Sequence, residues 1–257
     1  MSQREAAVAL QHTLYQSRNP TRRYLHCARR DWVRARLGDC GAHALAMELG
    51  PGSGVYLPTL AAGAQQVVAL DVDAAQLSAA RQALPDLAGR CSVHFLQADL
   101  CALPIASGSV DVLLCSEVIE HVEYSAQLLA SCESLLAEDG IFILTTPQPL
   151  SPIELLSRIA FLPGILQLLR RVYREPIEPT GHINVLGQAE LEQQIRHAGL
   201  RVVERDTLGF YLPLIGEFGG KPGQRLLAVL ERLLCRSPLR FLLWTQCYVL
   251  RKADGTE

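Results

Sequence analysis

Two hydrophobic rhythms alternate along this chain. Short, nearly continuous apolar runs occur at ALAMEL (44–49), QVVALD (66–71), SVHFLQAD (92–99), VDVLLCS (110–116) and GIFILTTP (140–147). Their length and β-branched content predict buried strands. Longer stretches with apolar positions three and four apart lie between them. DAAQLSAARQAL follows the second run, and another such stretch follows the fourth and reaches about Leu136. These predict helices. Residues 1–37 predict an arginine-rich helical segment, and 151–180 predict one or two amphipathic helices bent near Pro163-Gly164. QAELEQQIRHAGL (188–200) predicts a helix capped at Gly199, and QRLLAVLERLL predicts an amphipathic one. RVVERDTLGF (201–210) and LRFLLWTQCYVLRK (239–252) predict the last strands.

This β-α-β-α order argues for an α/β fold, a parallel sheet covered by helices on both faces. Such sheets bind ligands beyond the carboxyl ends of their strands. The expected organisation is an N-terminal helical lid (1–37), an α/β core (38–150), a helical insert capping the substrate (151–180) and the rest of the same domain (181–257). Tyr15 and Tyr24 are candidates for the lid.

Composition narrows the function. The 257 residues suit one large domain. A formal net charge of −2 provides no global positive field for nucleic acid. Arginines at 22, 23, 29, 30, 34 and 36 read as a solvated helix face, as do Arg170, Arg171 and Arg174. Eight cysteines contain no C-x-x-C pair, which argues against a zinc ribbon. The N-terminus lacks a signal-peptide pattern and no uncharged run has membrane-spanning length, so a cytoplasmic location is expected. The apolar insert would suit a hydrophobic acceptor or peripheral membrane contact.

Chemistry concentrates at the strand ends. In ELGPGSG, glycines 50, 52 and 54 permit a tight turn and close backbone approach to a ligand. The dinucleotide fingerprint fails, because Val55 and Leu57 stand where its third glycine would fall. Glu48 beside this loop would repel a pyrophosphate and suits an ammonium group. Asp71 can accept ribose hydroxyls, and Asp99 can accept from an adenine amino group; helix-cap and turn roles are the alternatives. In CSEVIEHVEY, helical spacing would bring Glu117, Glu120 and His121 onto one face. Carboxylates and imidazole suit a divalent ion, while a helix-capping Glu117 and a hydrogen-bonded His121 are the structural alternative.

In order and spacing these motifs, with QADLCALPIASGSVDVLLCSEVIEHV and LLAEDGIFILTTP, resemble class I S-adenosylmethionine-dependent methyltransferases of the ubiquinone-biosynthesis-like group. The resemblance is strongest over residues 40–150. It implies a Rossmann-like, doubly wound seven-stranded sheet with the last strand antiparallel. It further implies that Glu48, Gly50, Gly52 and Gly54 line the methionine end of S-adenosylmethionine. Asp71 and Val72 would hold the ribose, Asp99 and Leu100 the adenine, with Cys115 and Ser116 near the sulfonium.

His182 follows His121 by 61 residues (182 − 121). Glu117, Glu120, His121 and His182 together resemble the E-x-x-E-H motif of metal-dependent catechol and small-RNA methyltransferases, which pair a magnesium or zinc ion with the accepting hydroxyl. Without a metal, His121 or His182, with Glu117 nearby, is the candidate general base. The function expected is O-methylation of a small or lipophilic molecule, such as a catechol or vicinal diol. RNA 2′-O-methylation and a catalytically silent cofactor-binding module are the alternatives; charge and the apolar insert argue against nucleic acid.

Overall fold

The computed structural model describes residues 14–17, 20–84, 91–99, 105–160 and 182–253, with 162, 164 and 167. Its elements are α1 (Pro20–Asp39), β1 (His43–Leu49), α2 (Leu57–Gly63), β2 (Ala64–Asp71), α3 (Ala74–Ala83), β3 (Ser92–Gln97) and β4 (Val110–Ser116). They continue with α4 (Ser125–Leu135), β5 (Leu136–Pro147), α5 (Pro152–Ala160), α6 (Gln188–His197) and β6 (Leu200–Leu208). α7 (Pro213–Phe218), α8 (Gly220–Leu234) and β7 (Thr245–Lys252) complete the described chain.

Seven strands form one sheet in the order β3-β2-β1-β4-β5-β7-β6. The first five are parallel, and β7 runs antiparallel to both β5 and β6. The chain winds outward from β1 to β3 and then returns to β4 on the other side of β1. Strand order thus reverses between β1 and β4, where Leu49 pairs with Cys115. A crevice opens beyond the carboxyl ends at such a reversal.

Pleating divides the strands between two cores. Met47, Leu49, Phe142, Leu144, Tyr248 and Leu250 pack on one face with Leu128, Leu129, Leu191 and Ile195 of α4 and α6. Ala46, Ile143, Cys247 and Val249 face the other side, against Trp32, Val33 and Leu37 of α1 and Leu57 and Leu60 of α2. Each fully buried leucine contributes roughly 1.5–3 kcal/mol. α1 is therefore part of the sheet's cover. Trp32 Nε1 also donates to Asp206 at 2.8 Å. A third cluster joins Leu25, Phe210, Tyr211, Leu227, Leu243 and Trp244 under α7 and α8.

Gly199 ends α6 with φ +77°, as its sequence position predicts. The helix expected directly after β4 does not form. Glu117 has φ +58°, and only a 3-10 turn spans Ile119–His121 before α4 begins at Ser125. The carbonyl of Glu120 accepts from the amides of Ile183 and Asn184, both at 3.0 Å, instead of continuing a helix. β7 likewise begins later than the apolar run suggests, because Pro238–Leu242 is a 3-10 turn. Leu100, Pro163, Arg170, Arg171 and Arg174 lie outside the described residues. Among the described residues, no helix is long and apolar enough to cross a membrane.

Candidate functional site

The loop after β1 forms one wall of the crevice. Gly50, Gly52 and Gly54 all have positive φ, at +63°, +50° and +68°. Gly50 is also constrained by packing: a β-carbon there would lie 2.5 Å from Val118 Cγ2. Glu48 sits beside the loop with 2% exposure, and its Oε2 has no hydrogen-bond partner among the described residues. Burial drives its carboxyl well above the ordinary value of 4.5. A buried carboxylate oxygen without a donor is costly, and it suits a cationic ligand group.

Asp71 ends β2, half-buried, and its Oδ1 accepts from Asp73 N–H at 2.8 Å. Burial raises its pKa, partly offset by that amide. The helix cap is Asp73, which accepts from Ala75 N–H at 2.8 Å. Val72 leaves apolar surface exposed beside Asp71, and Asp99 is exposed after β3. Cys115 is fully enclosed in the core, where burial drives its thiol well above 9.0. Its neighbour Ser116 carries the polar group at this strand end, 2.9 Å from Thr145 Oγ1.

Against the glycine loop pack residues to which the sequence reading gave other roles or none. Arg29 is 5% exposed, and its Nη1 lies 2.8 Å from Glu117 Oε2. Its guanidinium stacks over Trp244, 5.3 Å from the ring centre, and its Nη2 meets His26 Nδ1 at 3.0 Å. Burial and the nearby arginines drive His26 well below 6.5, so it stays neutral. Tyr15 and Tyr56 cluster beside Arg29, with Glu48 close to Tyr15 and Ser116 close to Tyr56. Desolvation raises both phenols. Arg29 Nε and the Tyr56 hydroxyl are buried without an aligned partner among the described residues. The signal was present in the sequence: Leu25, Arg29, Trp32, Val33 and Leu37 share one helical face, so Arg29 interrupts an apolar stripe.

Four other described arginines of the N-terminal segment also have partners. Arg23 donates to Ser17 O, Arg34 to Val55 O, and Arg30 and Arg36 pair with Asp31 and Glu204. Tyr24 bonds Glu231 of α8, whereas Tyr15 lies close to Arg29, Tyr56 and Glu48.

Glu117 adopts its left-handed backbone at the crevice floor. Its N–H donates to Thr145 O at 2.9 Å, and its Oε1 accepts from Thr145 Oγ1 at 3.2 Å. A non-glycine residue held there stores of order 1–3 kcal/mol, sustained by surrounding contacts. Burial raises its carboxyl pKa, opposed chiefly by Arg29.

Of the four residues expected to share a metal, the structure brings three together. One ligand atom each from Glu120, His121 and His182 lies within 4.8 Å of the others. The rings of His121 and His182 are 5.2 Å apart. Glu117 is held by Arg29 and stands outside this group. Glu120 is fully buried; its Oε2 accepts from Thr146 Oγ1 at 3.1 Å, and its Oε1 has no partner among the described residues. Burial and the Glu117 charge drive its carboxyl well upward.

A family model described as a methyltransferase domain matches residues 47–144. A ubiquinone biosynthesis O-methyltransferase of Pseudomonas aeruginosa is 31% identical over 191 residues, 72% of this chain and 75% of that protein. A Mycolicibacterium smegmatis protein named a probable S-adenosylmethionine-dependent methyltransferase is 30% identical over 194 residues, 75% of this chain. The match spans only 65% of that relative's own length. In fold, the chain resembles a protein named a putative methyltransferase, solved in complex with the Haloferax volcanii Trm112 methyltransferase activator. The TM-score is 0.65 at 19% identity, over 99% of both chains.

Proposed function

The chain belongs to the class I S-adenosylmethionine-dependent methyltransferases, and on that premise we propose that it methylates an oxygen of a small, lipophilic acceptor. One observation carries the cofactor side: the buried, partnerless carboxylate oxygen of Glu48 beside three left-handed glycines. The residues present fit S-adenosylmethionine. Glu48 would hold its ammonium, while Arg29, Tyr15 and Tyr56 offer buried donors for its carboxylate. Gly50, Gly52 and Gly54 would line the same end. Asp71 with Val72 would hold the ribose, and Asp99 with Leu100 would read the adenine. Ser116, next to Cys115, would stand nearest the sulfonium. Once bound, the cofactor supplies an electrophilic methyl group.

On the acceptor side, His182 or His121 would remove the hydroxyl proton. Glu117, anchored to Arg29, would supply negative charge at the crevice floor. Glu120, His121 and His182 also fit a divalent cation, because a buried orphan carboxylate oxygen belongs to a group with two imidazoles. This nitrogen-rich set suits zinc better than magnesium. A cation there would lower the pKa of the accepting hydroxyl.

The lipophilic reading draws on α8. Leu226, Val229 and Leu233 form an exposed stripe, with exposed Phe218 preceding the helix. Exposed Lys221, Arg225 and Arg232 flank the stripe, and the helix's acidic residue, Glu231, turns inward to Tyr24 and Gly209. Such a face suits the surface of an anionic bilayer, where a lipophilic acceptor would be met.

Titration calorimetry with S-adenosylmethionine tests the cofactor reading. The wild type is expected to bind, and Glu48→Gln to bind roughly 10–100-fold more weakly, the worth of a charged hydrogen bond of about 1.5–3 kcal/mol. Absence of binding by the wild type overturns the proposal. Dialysis against a chelator, followed by zinc addition, separates the acceptor-side alternatives: activity lost and restored supports the cation, and unchanged activity supports a histidine base.

A further inference from the structure

Ser151-Pro152-Ile153-Glu154 has the form of a capping box at the start of α5. In that motif the serine accepts from the glutamate's amide, and the glutamate carboxylate reaches back to the serine's N–H. Only the first half is made here: Glu154 N–H donates to Ser151 Oγ at 3.2 Å. Ser151's own N–H goes to the Gln148 carbonyl at 3.3 Å.

The carboxylate of Glu154 turns inward instead. Its Oε1 accepts from the indole N–H of Trp244 at 3.2 Å, and its Oε2 lies 3.4 Å from His182 Nδ1. The residue is 7% exposed. Withdrawing a carboxylate from water is unfavourable unless donors replace the water. A capping role would have been met at the helix end, so the inward turn needs another cause. His182 supplies one. The next two residues clasp the Glu120 carbonyl with their amides, fixing the backbone. That clasp leaves the imidazole one main freedom, the orientation and tautomer of its ring.

We propose that Glu154 is a positioning residue. It accepts the Nδ1 proton of His182, fixes that tautomer, and so directs an unprotonated Nε2 toward Glu120, His121 and the acceptor. An imidazole's second nitrogen decides what its first can do, whether that first nitrogen takes a proton or holds a metal. The inference rests on the reading of His182 as an acceptor-side residue and holds in both versions of it.

Two-bond proton–nitrogen correlation spectra of the full chain test it directly. They are recorded where imidazoles are neutral and assigned by comparison with His182→Gln. The expected result is a proton on Nδ1 of His182; a proton on Nε2 overturns the proposal, and this measurement needs no variant at Glu154 to fold. Glu154→Ala is expected to return His182 to the Nε2–H tautomer preferred in water. It should lower kcat roughly 10–100-fold and leave the S-adenosylmethionine dissociation constant unchanged. A folded Glu154→Ala protein that keeps the wild-type tautomer and rate also overturns it. Failure of the methyltransferase reading would be visible separately, as absence of cofactor binding by a wild type whose tautomer is nonetheless as expected.

Discussion

The tips of β1 to β3 and the tips of β4, β5 and β7 are built differently. At the first, each device is local. Three glycines turn one loop, Asp73 caps the helix two residues after Asp71, and Glu48 stands buried without a partner. At the second, groups from distant segments interlock. Arg29, Glu117 and Thr145 form one chain of contacts, and Trp244, Glu154 and His182 form another. The first half holds Glu48 Oε2 buried without a partner and with no charged neighbour paired to it, which fits the ligand proposed above. The second half also leaves Arg29 Nε and Glu120 Oε1 without partners, but its remaining groups hold one another in position through an ion pair and cross-chain hydrogen bonds.

Breaking the interlocked half should have the largest effect. Arg29→Met leaves the largely enclosed Glu117 without its ion pair, and is expected to destabilise the fold by about 3–5 kcal/mol in chemical denaturation. The double variant Arg29→Met/Glu117→Leu should recover most of that loss. If the single variant is as stable as the wild type, the two halves do not differ as described.

At the cofactor half, Gly50→Ala should cost about 1–3 kcal/mol from backbone strain, together with a clash on Val118. Adding Val118→Ala relieves the clash but not the φ. Partial recovery of cofactor binding would assign the two contributions; full recovery would show that the positive φ is unimportant.

Glu48→Gln sharpens the contrast through pH. Burial raises the Glu48 pKa in the folded state above its unfolded value. The stability it contributes is therefore fully present below the unfolded carboxylate range and is lost as pH rises through the folded value. The ligand-free wild type should melt at falling temperature as pH increases through that window, and Glu48→Gln should show a flatter profile. S-adenosylmethionine should flatten the wild-type curve too. A wild type with no such slope would mean that Glu48 is not an unpaired buried acid.

The smallest effect concerns α8. Leu226→Ser/Leu233→Ser should change stability by no more than about 0.5 kcal/mol, as surface substitutions do. It should nevertheless abolish salt-sensitive sedimentation with anionic vesicles. Wild-type protein that stays unbound at low salt would remove the bilayer from the proposal.

The same contrast explains what the sequence made legible. Local devices carry local signatures, so the glycine loop and Asp71 could be read from their spacing beside apolar runs. Strand number and the reversed last strand followed from the alternation and the family resemblance. The 3-10 turn at Ile119–His121 was not legible, because the partners of the Glu120 carbonyl lie more than sixty residues downstream. Glu154 was not singled out, because its place three residues after Ser151 has the form of a local cap, and Arg29 read as one of several solvated arginines. In both cases tertiary contacts overrode a local pattern, and only Arg29's place in an apolar stripe could have given warning.

The clasp of Ile183 and Asn184 on the Glu120 carbonyl has one more consequence. Two amides on one oxygen tie the backbone beside His182 to the backbone of the turn that carries His121. The two imidazoles therefore travel together: a change that shifts one turn shifts the other, and the main chain holds their 5.2 Å separation.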